Sequence, residues 1–122
     1  NMPRPQFYPF ALTIACTDIE SSVAFYEGIL GAQRLPGDNG IGWHYQLGSL
    51  RLTLLPNATQ PSPAKFPDHA MPLLWLETNN LETAHEYFVR QGIPILDAPS
   101  GGPYIQIADP DGLIIEVWQK EE

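Results

Sequence analysis

Basic residues are scarce in this chain: 6 lysines and arginines stand against 14 acids, a formal charge of −8 over 122 residues. Phosphate backbones repel such a balance and no basic stripe offsets it, so nucleic acid is not an expected partner. Apolar runs are short as well. None approaches the roughly 20 residues of a membrane-spanning helix, so no membrane partner is expected. No charged-then-apolar leader opens the sequence, and Asn1 precedes Met2 as a tag remnant would. Cysteine is nearly absent: Cys16 alone excludes an internal disulfide and fits a reducing compartment. Together these absences lead to the expectation of a soluble, cytoplasmic protein. What is present suffices to fold, since 43% hydrophobic residues can bury a core in one domain without disulfide or structural metal. The acid excess favours a cationic ligand, or simply keeps a small protein soluble.

Patterning along the chain repeats itself. Phe10–Thr17 is apolar or small with β-branched positions, which predicts a buried strand. Asp18 has the chemistry of a helix N-cap, Glu20 suits the first turn, and Ile19, Val23, Tyr26, Ile29 and Leu30 recur at helical spacing up to Gly31. Short strands are predicted at Gln33–Leu35, Trp43–Leu47 and Leu50–Leu55, the last two joined by the turn Gly48-Ser49. Five prolines between Pro56 and Pro72 then interrupt the rhythm, because proline lacks the amide that a central strand or helix uses. After them the pattern returns: strand Leu73–Thr78, N-cap Asn80, helix Leu81–Gln91, Gly92, and strands Ile93–Leu96, Tyr104–Ile107 and Leu113–Gln119. Asp109-Pro110-Asp111-Gly112 has the composition of a tight turn. Asp18 maps onto Asn80 and Phe25-Tyr26 onto Tyr87-Phe88, both 62 positions later (18 to 80, 25 to 87). A displacement of half the chain that persists through cap and helix indicates a duplicated unit.

These residues carry a resemblance. The run from Thr17 to Tyr26, closing in Leu30-Gly31, resembles the first-module signature of the glyoxalase/bleomycin resistance/dioxygenase (vicinal oxygen chelate) superfamily, and the run from Asp109 to Glu116 resembles its closing hairpin. The resemblance implies an α+β fold: two βαβββ modules, about 8–56 and 73–119 around a proline-rich linker 57–72, forming a cleft in one domain of residues 1–122, as a homodimer. Module pairing within or between chains stays open.

Many members of that family hold a divalent metal on one side chain from each of four strands, with His or Gln on the first and fifth and Glu or His on the fourth and eighth. Here those positions fall on Ala11, Leu73, Glu116 and Thr53, the last replaced by Arg51 if the register slips by one pair. Methyl and isobutyl groups supply no donor. The resemblance is therefore to the metal-free, bleomycin-resistance-like branch, with no metal and no cofactor expected.

Strand alternation places Ala11, Thr13 and Ala15 on the cleft face of the first strand and Leu73, Trp75 and Glu77 on that of the fifth. The eighth offers Ile114, Glu116 and Trp118, and Tyr104 and Gln106 line the seventh. The candidate ligand-binding residues are thus Trp75, Glu77, Tyr104, Gln106, Glu116, Trp118, Arg51 and Thr53. Aromatic faces stack and attract cations and carboxylates neutralise them, which points to a planar, cationic or amphipathic small molecule such as an antibiotic. The competing reading of Trp75 and Trp118 is core filling. An enzyme of the same fold is the alternative function: a lyase, isomerase or dioxygenase-like catalyst using Glu116 as acid or base, or as part of an atypical metal site. A structural or regulatory module with a vestigial cleft is the third. His85 is expected on the solvent side of its helix, His69 lies in the linker, and Cys16 is expected in the core. The facing of Trp43 and His44 is left open by the sequence.

Overall fold

The computed structural model describes residues 2–36, 42–62 and 66–121. The chain divides into two compact units, Asn1–Ala58 and Thr59–Glu122. Part of the expected linker, residues 63–65, lies outside the described residues.

Unit 1 runs β1 (Leu12–Ala15), α1 (Ile19–Val23) continuing as a π-helical segment (Ala24–Ile29), β2 (Gln33–Arg34), β3 (Trp43–Leu47) and β4 (Leu50–Leu55). Its sheet has the order β1-β4-β3-β2, with β1 parallel to β4 and the other pairs antiparallel. Unit 2 runs β5 (Leu74–Thr78), α2 (Leu81–Arg90), β6 (Tyr104–Ala108) and β7 (Ile114–Gln119), in the order β5-β7-β6 with β5 parallel to β7. Each unit is therefore one small sheet with helical structure on one face, an α+β arrangement.

The helix starts follow from local chemistry. Asp18 accepts a hydrogen bond from the Glu20 amide and Asn80 one from the Thr83 amide, each satisfying a first-turn donor that the helix itself leaves unpaired. Gly31 and Gly92 follow the helices at φ 76° and 73°, where a Cβ would be strained. Between the Asp18 cap and Gly31, unit 1 departs from the expected regular helix. Leu30 donates its amide to the Phe25 carbonyl five residues back, and this wider turn carries the adjacent Phe25 and Tyr26 inward together, edge to face at 5.1 Å.

The first strand is shorter than the predicted Phe10–Thr17, and Phe10 lies outside it. Beyond the strand, Cys16 still donates its amide to Leu55, and its side chain is buried as expected. Leu113 belongs to the turn rather than the last strand: Asp109 Oδ1 accepts both the Asp111 and Leu113 amides at 2.9 Å, which closes the Asp-Pro-Asp-Gly corner. The predicted strand Ile93–Leu96 is absent. Pro94 has no amide to donate, and the segment's pairing reduces to an isolated bridge between Asp97 and Gln106.

Strand alternation then builds each core. In unit 1, Ile14, Tyr45, Leu52 and Leu54 are buried on the helix side of the sheet; in unit 2 the same side buries Leu74, Ile105, Ile107, Ile115 and Val117, with α2 supplying Phe88. Full burial of a leucine or isoleucine side chain contributes about 1.5–3 kcal/mol, so these two faces dominate stability. Tyr45 reaches through the first core to donate its hydroxyl to Glu27 Oε2 at 2.8 Å; burial, followed by that bond, pushes its pKa up to about 12.

Candidate functional site

With the apolar residues turned toward the helices, the alternate residues occupy the opposite, open face of each sheet. On unit 2 that face holds Trp75 and Glu77 from β5, Glu116 and Trp118 from β7, and Tyr104 and Gln106 from β6. The register fixes their order: Trp75 pairs with Glu116, Glu77 with Trp118, Tyr104 with Trp118 and Gln106 with Glu116. Six of the eight sequence-predicted ligand residues thus share one surface.

The three rings form a ladder across the strands. Trp75 and Trp118 stack with centroids 4.5 Å apart and planes at 20°, and Tyr104 stacks on Trp118 at 5.1 Å and 27°. Such contacts contribute about 0.5–1.5 kcal/mol beyond burial. Trp118 is therefore the middle rung, with both faces occupied. Trp75 is the outer rung and 57% exposed, so it is not core filler.

Polar groups hold the ladder in place. Trp118 donates its indole Nε1–H to Glu116 Oε1 at 3.1 Å, and Gln106 donates Nε2–H to Glu116 Oε2 at 3.2 Å. The Tyr104 hydroxyl donates to Asp97 Oδ2 at 2.9 Å, and that bond leads the causes that raise the Tyr104 pKa. Asp97 reaches this group from the bridge that replaced the predicted strand, and the sequence carried no sign of it. The Glu77 side chain is exposed and makes no hydrogen bond or ion pair among the described residues.

Thr53 and Arg51 lie on the face of the unit 1 sheet that points away from its helix, where Thr53 is nonetheless buried. Thr53 pairs with Thr13 as Glu116 pairs with Trp75, so Thr53 takes in unit 1 the place of Glu116 in unit 2. Beside it stands a residue that the sequence reading left unplaced. His44 pairs with Thr53, is 7% exposed, and brings Nδ1 to 2.8 Å from Thr53 Oγ1. Gln106 pairs with Glu116 in the same way, 62 positions later (44 to 106), so the repeat displacement was the signal that could have found His44. Trp43 falls on the helix side, with the Arg34 guanidinium 5.8 Å from its ring. Arg51 covers the Phe10 ring at 4.2 Å, and its buried Nε has no hydrogen-bond partner among the described residues.

The positions at which the resemblance places metal ligands do not fit an ion. Ala11 and Leu73 precede β1 and β5 and carry no donor, and among the described residues no three His, Cys, Asp or Glu side chains group to hold a metal. The remaining histidines lie elsewhere: His69 is exposed, and His85 is half-buried rather than on the solvent side. With Glu82 and Glu86, His85 lines a groove of about 820 Å³ between the start of α2 and residues 98–103.

The model of the Glyoxalase/Bleomycin resistance protein/Dioxygenase superfamily matches residues 10–117. No curated protein matches the chain. Solved structures do: an integron cassette protein from the mobile metagenome of V. cholerae has 22% identity over 98% of this chain and 100% of that one, with a TM-score of 0.72. The fosfomycin resistance protein of Mesorhizobium loti has 12% identity over 93% and 92%, with a TM-score of 0.71. Lactoylglutathione lyase from Agrobacterium tumefaciens has 19% identity over 94% and 95%, with a TM-score of 0.65. At these identities the likeness is one of fold.

Proposed function

The chain belongs to the glyoxalase/bleomycin resistance protein/dioxygenase superfamily, and from that premise we propose that it captures a planar, amphipathic small molecule on the open face of unit 2 without using a metal. The observation that carries this reading is the aromatic ladder, with its outer rung 57% exposed. Exposing an indole face costs hydrophobic free energy that a ligand ring recovers on stacking. The ladder is preorganised, because Glu116 and Asp97 fix two of its three rings, and little ordering entropy remains to be lost on binding. In this reading the protein acts as a homodimer.

The enzyme alternative is weaker. The names of the fosfomycin resistance protein and of lactoylglutathione lyase belong to chains that share the fold at 12% and 19% identity. A general acid or base at Glu116 would have to work through a carboxylate whose two oxygens already accept from Trp118 and Gln106. That geometry suits a holding role better than proton transfer.

Titrating a panel of planar aromatics, antibiotics included, should quench tryptophan emission and raise the melting temperature, since a ligand specific to the native state stabilises it by mass action. Trp75→Ala should weaken the binders several-fold, in line with about 0.5–1.5 kcal/mol for a stacked pair. If the whole panel produces neither quenching nor a thermal shift, capture at this face is wrong.

A further inference from the structure

Resting on that reading, we propose that the ligand is an aromatic ammonium, a flat ring joined by a short tether to a protonated amine, and that Glu77 is the residue that selects the charge. The first step is which ring surface is free. Trp118 is covered on one side by Trp75 and on the other by Tyr104, so a ligand does not stack on the middle rung. The Tyr104 end is tied through its hydroxyl to Asp97. The exposed rung is Trp75.

The next step concerns the two carboxylates, which are not equivalent. Both oxygens of Glu116 accept hydrogen bonds from the site itself, so its charge is shared with Trp118 and Gln106 and its position is fixed. The Glu77 side chain accepts none among the described residues and is exposed, and no Lys or Arg forms an ion pair with it there, Lys120 included, which follows Trp118 by two positions. An added cation therefore finds an uncompensated partner at Glu77 and a compensated one at Glu116. Glu116 is the positioning residue, holding the middle rung against which Trp75 rests.

Spacing sets the shape of the ligand. Trp75 and Glu77 are two residues apart on β5 and share a face, and a strand advances about 3.3 Å per residue, so their anchor points are roughly 7 Å apart. A ring on Trp75 then reaches the carboxylate with its amine through a tether of about two or three atoms. Glu77 is solvated, so the preference it confers is modest and weakened by salt.

The test compares 2-(1-naphthyl)ethylamine, protonated at neutral pH, with its neutral counterpart 2-(1-naphthyl)ethanol by calorimetric titration. The wild-type protein should prefer the ammonium about fivefold at low ionic strength, a difference on the scale of exposed ion pairs. Glu77→Gln should erase that preference while leaving the affinity for the alcohol unchanged. Glu116→Gln should keep the preference while weakening both probes. A preference that survives Glu77→Gln, or that disappears in Glu116→Gln alone, overturns the assignment of Glu77 but leaves capture at the face standing. Failure of both probes to bind the wild-type protein overturns capture itself, and this inference with it.

Discussion

The two units carry the same backbone device and put it to different use. In each, a cross-strand polar pair sits on the open face at equivalent register, His44 with Thr53 in unit 1 and Gln106 with Glu116 in unit 2. Around the first stand Thr13 and Ala15, small residues with little to offer a ring, and the pair itself is buried, His44 at 7% and Thr53 at 5% exposure. Around the second stand Trp75, Trp118 and Tyr104, and the carboxylate of Glu116 replaces the hydroxyl of Thr53. Duplication preserved the parallel pairing of first and last strand, the caps and the turn glycines, whereas the unit 2 counterpart of β2 is reduced to an isolated bridge. It left the faces away from the helices free to diverge, and the aromatic rings collected on one of them.

The strongest way to break this comparison is to test the part said to be shared. Leu52 and Ile115 occupy corresponding core positions and are both fully buried. Leu52→Ala and Ile115→Ala should each cost about 2–5 kcal/mol, the range for truncating a buried aliphatic side chain. Urea unfolding measures both. A large loss in one unit with under 1 kcal/mol in the other would mean that the two sheets are not supported alike. A smaller effect separates the polar pairs. Glu116→Ala removes the acceptor of two hydrogen bonds and should cost about 1–3 kcal/mol, whereas Thr53→Val removes one and should cost about 0.5–1.5 kcal/mol. Glu116→Ala should also shift the tryptophan emission, because Trp118 loses its anchor. Unchanged emission would detach Glu116 from the ladder.

Much of this duplication was legible before the structure. The strands Trp43–Leu47 and Leu50–Leu55 have the predicted bounds, since alternation and a glycine turn suffice to define a hairpin. Asp18, Asn80, Gly31 and Gly92 marked helix ends because their side chains, or the lack of one, act locally. Less local features were not legible. Residues 93–96 are apolar enough for a strand, and only pairing with β6 reveals that Pro94 interrupts the ladder. The π-helical segment leaves no periodic trace that distinguishes it from an α-helix. At the site, alternation put Trp75 with Glu77 and Glu116 with Trp118 on common faces. It did not reveal that the rings stack on one another or that Glu116 is held by its neighbours, because rotamers and cross-strand register are tertiary facts. His44 was missed for the same reason: a strand flanked by Trp43 and Tyr45 reads equally well with either face inward.

The caps offer the finest contrast between the units, and one that pH can address. Asp18 and Asn80 do the same work 62 positions apart (18 to 80), but only the first is ionisable. Its carboxylate accepts from the Ser21 hydroxyl at 2.8 Å and from the Glu20 amide at 3.2 Å, and the Ser21 bond leads the causes that lower its pKa below the usual 3.8. A carboxylate with a lowered folded-state pKa contributes stability that is present above the unfolded value and is lost as pH falls through the folded one. Acidification below about pH 4 should therefore loosen the start of α1 while the neutral cap at Asn80 keeps the start of α2 closed. Amide resonances of Glu20 and Thr83 report the two sites in one titration. The Glu20 amide should shift with a midpoint below 3.8, and that of Thr83 should show no cap-linked step. Asp18→Asn should convert the first site to the behaviour of the second, removing the cap-linked step while keeping the helix capped, since asparagine caps about as well as aspartate. If the step with a midpoint below 3.8 persists at the Glu20 amide in that variant, the cap charge is not what distinguishes the two helix starts.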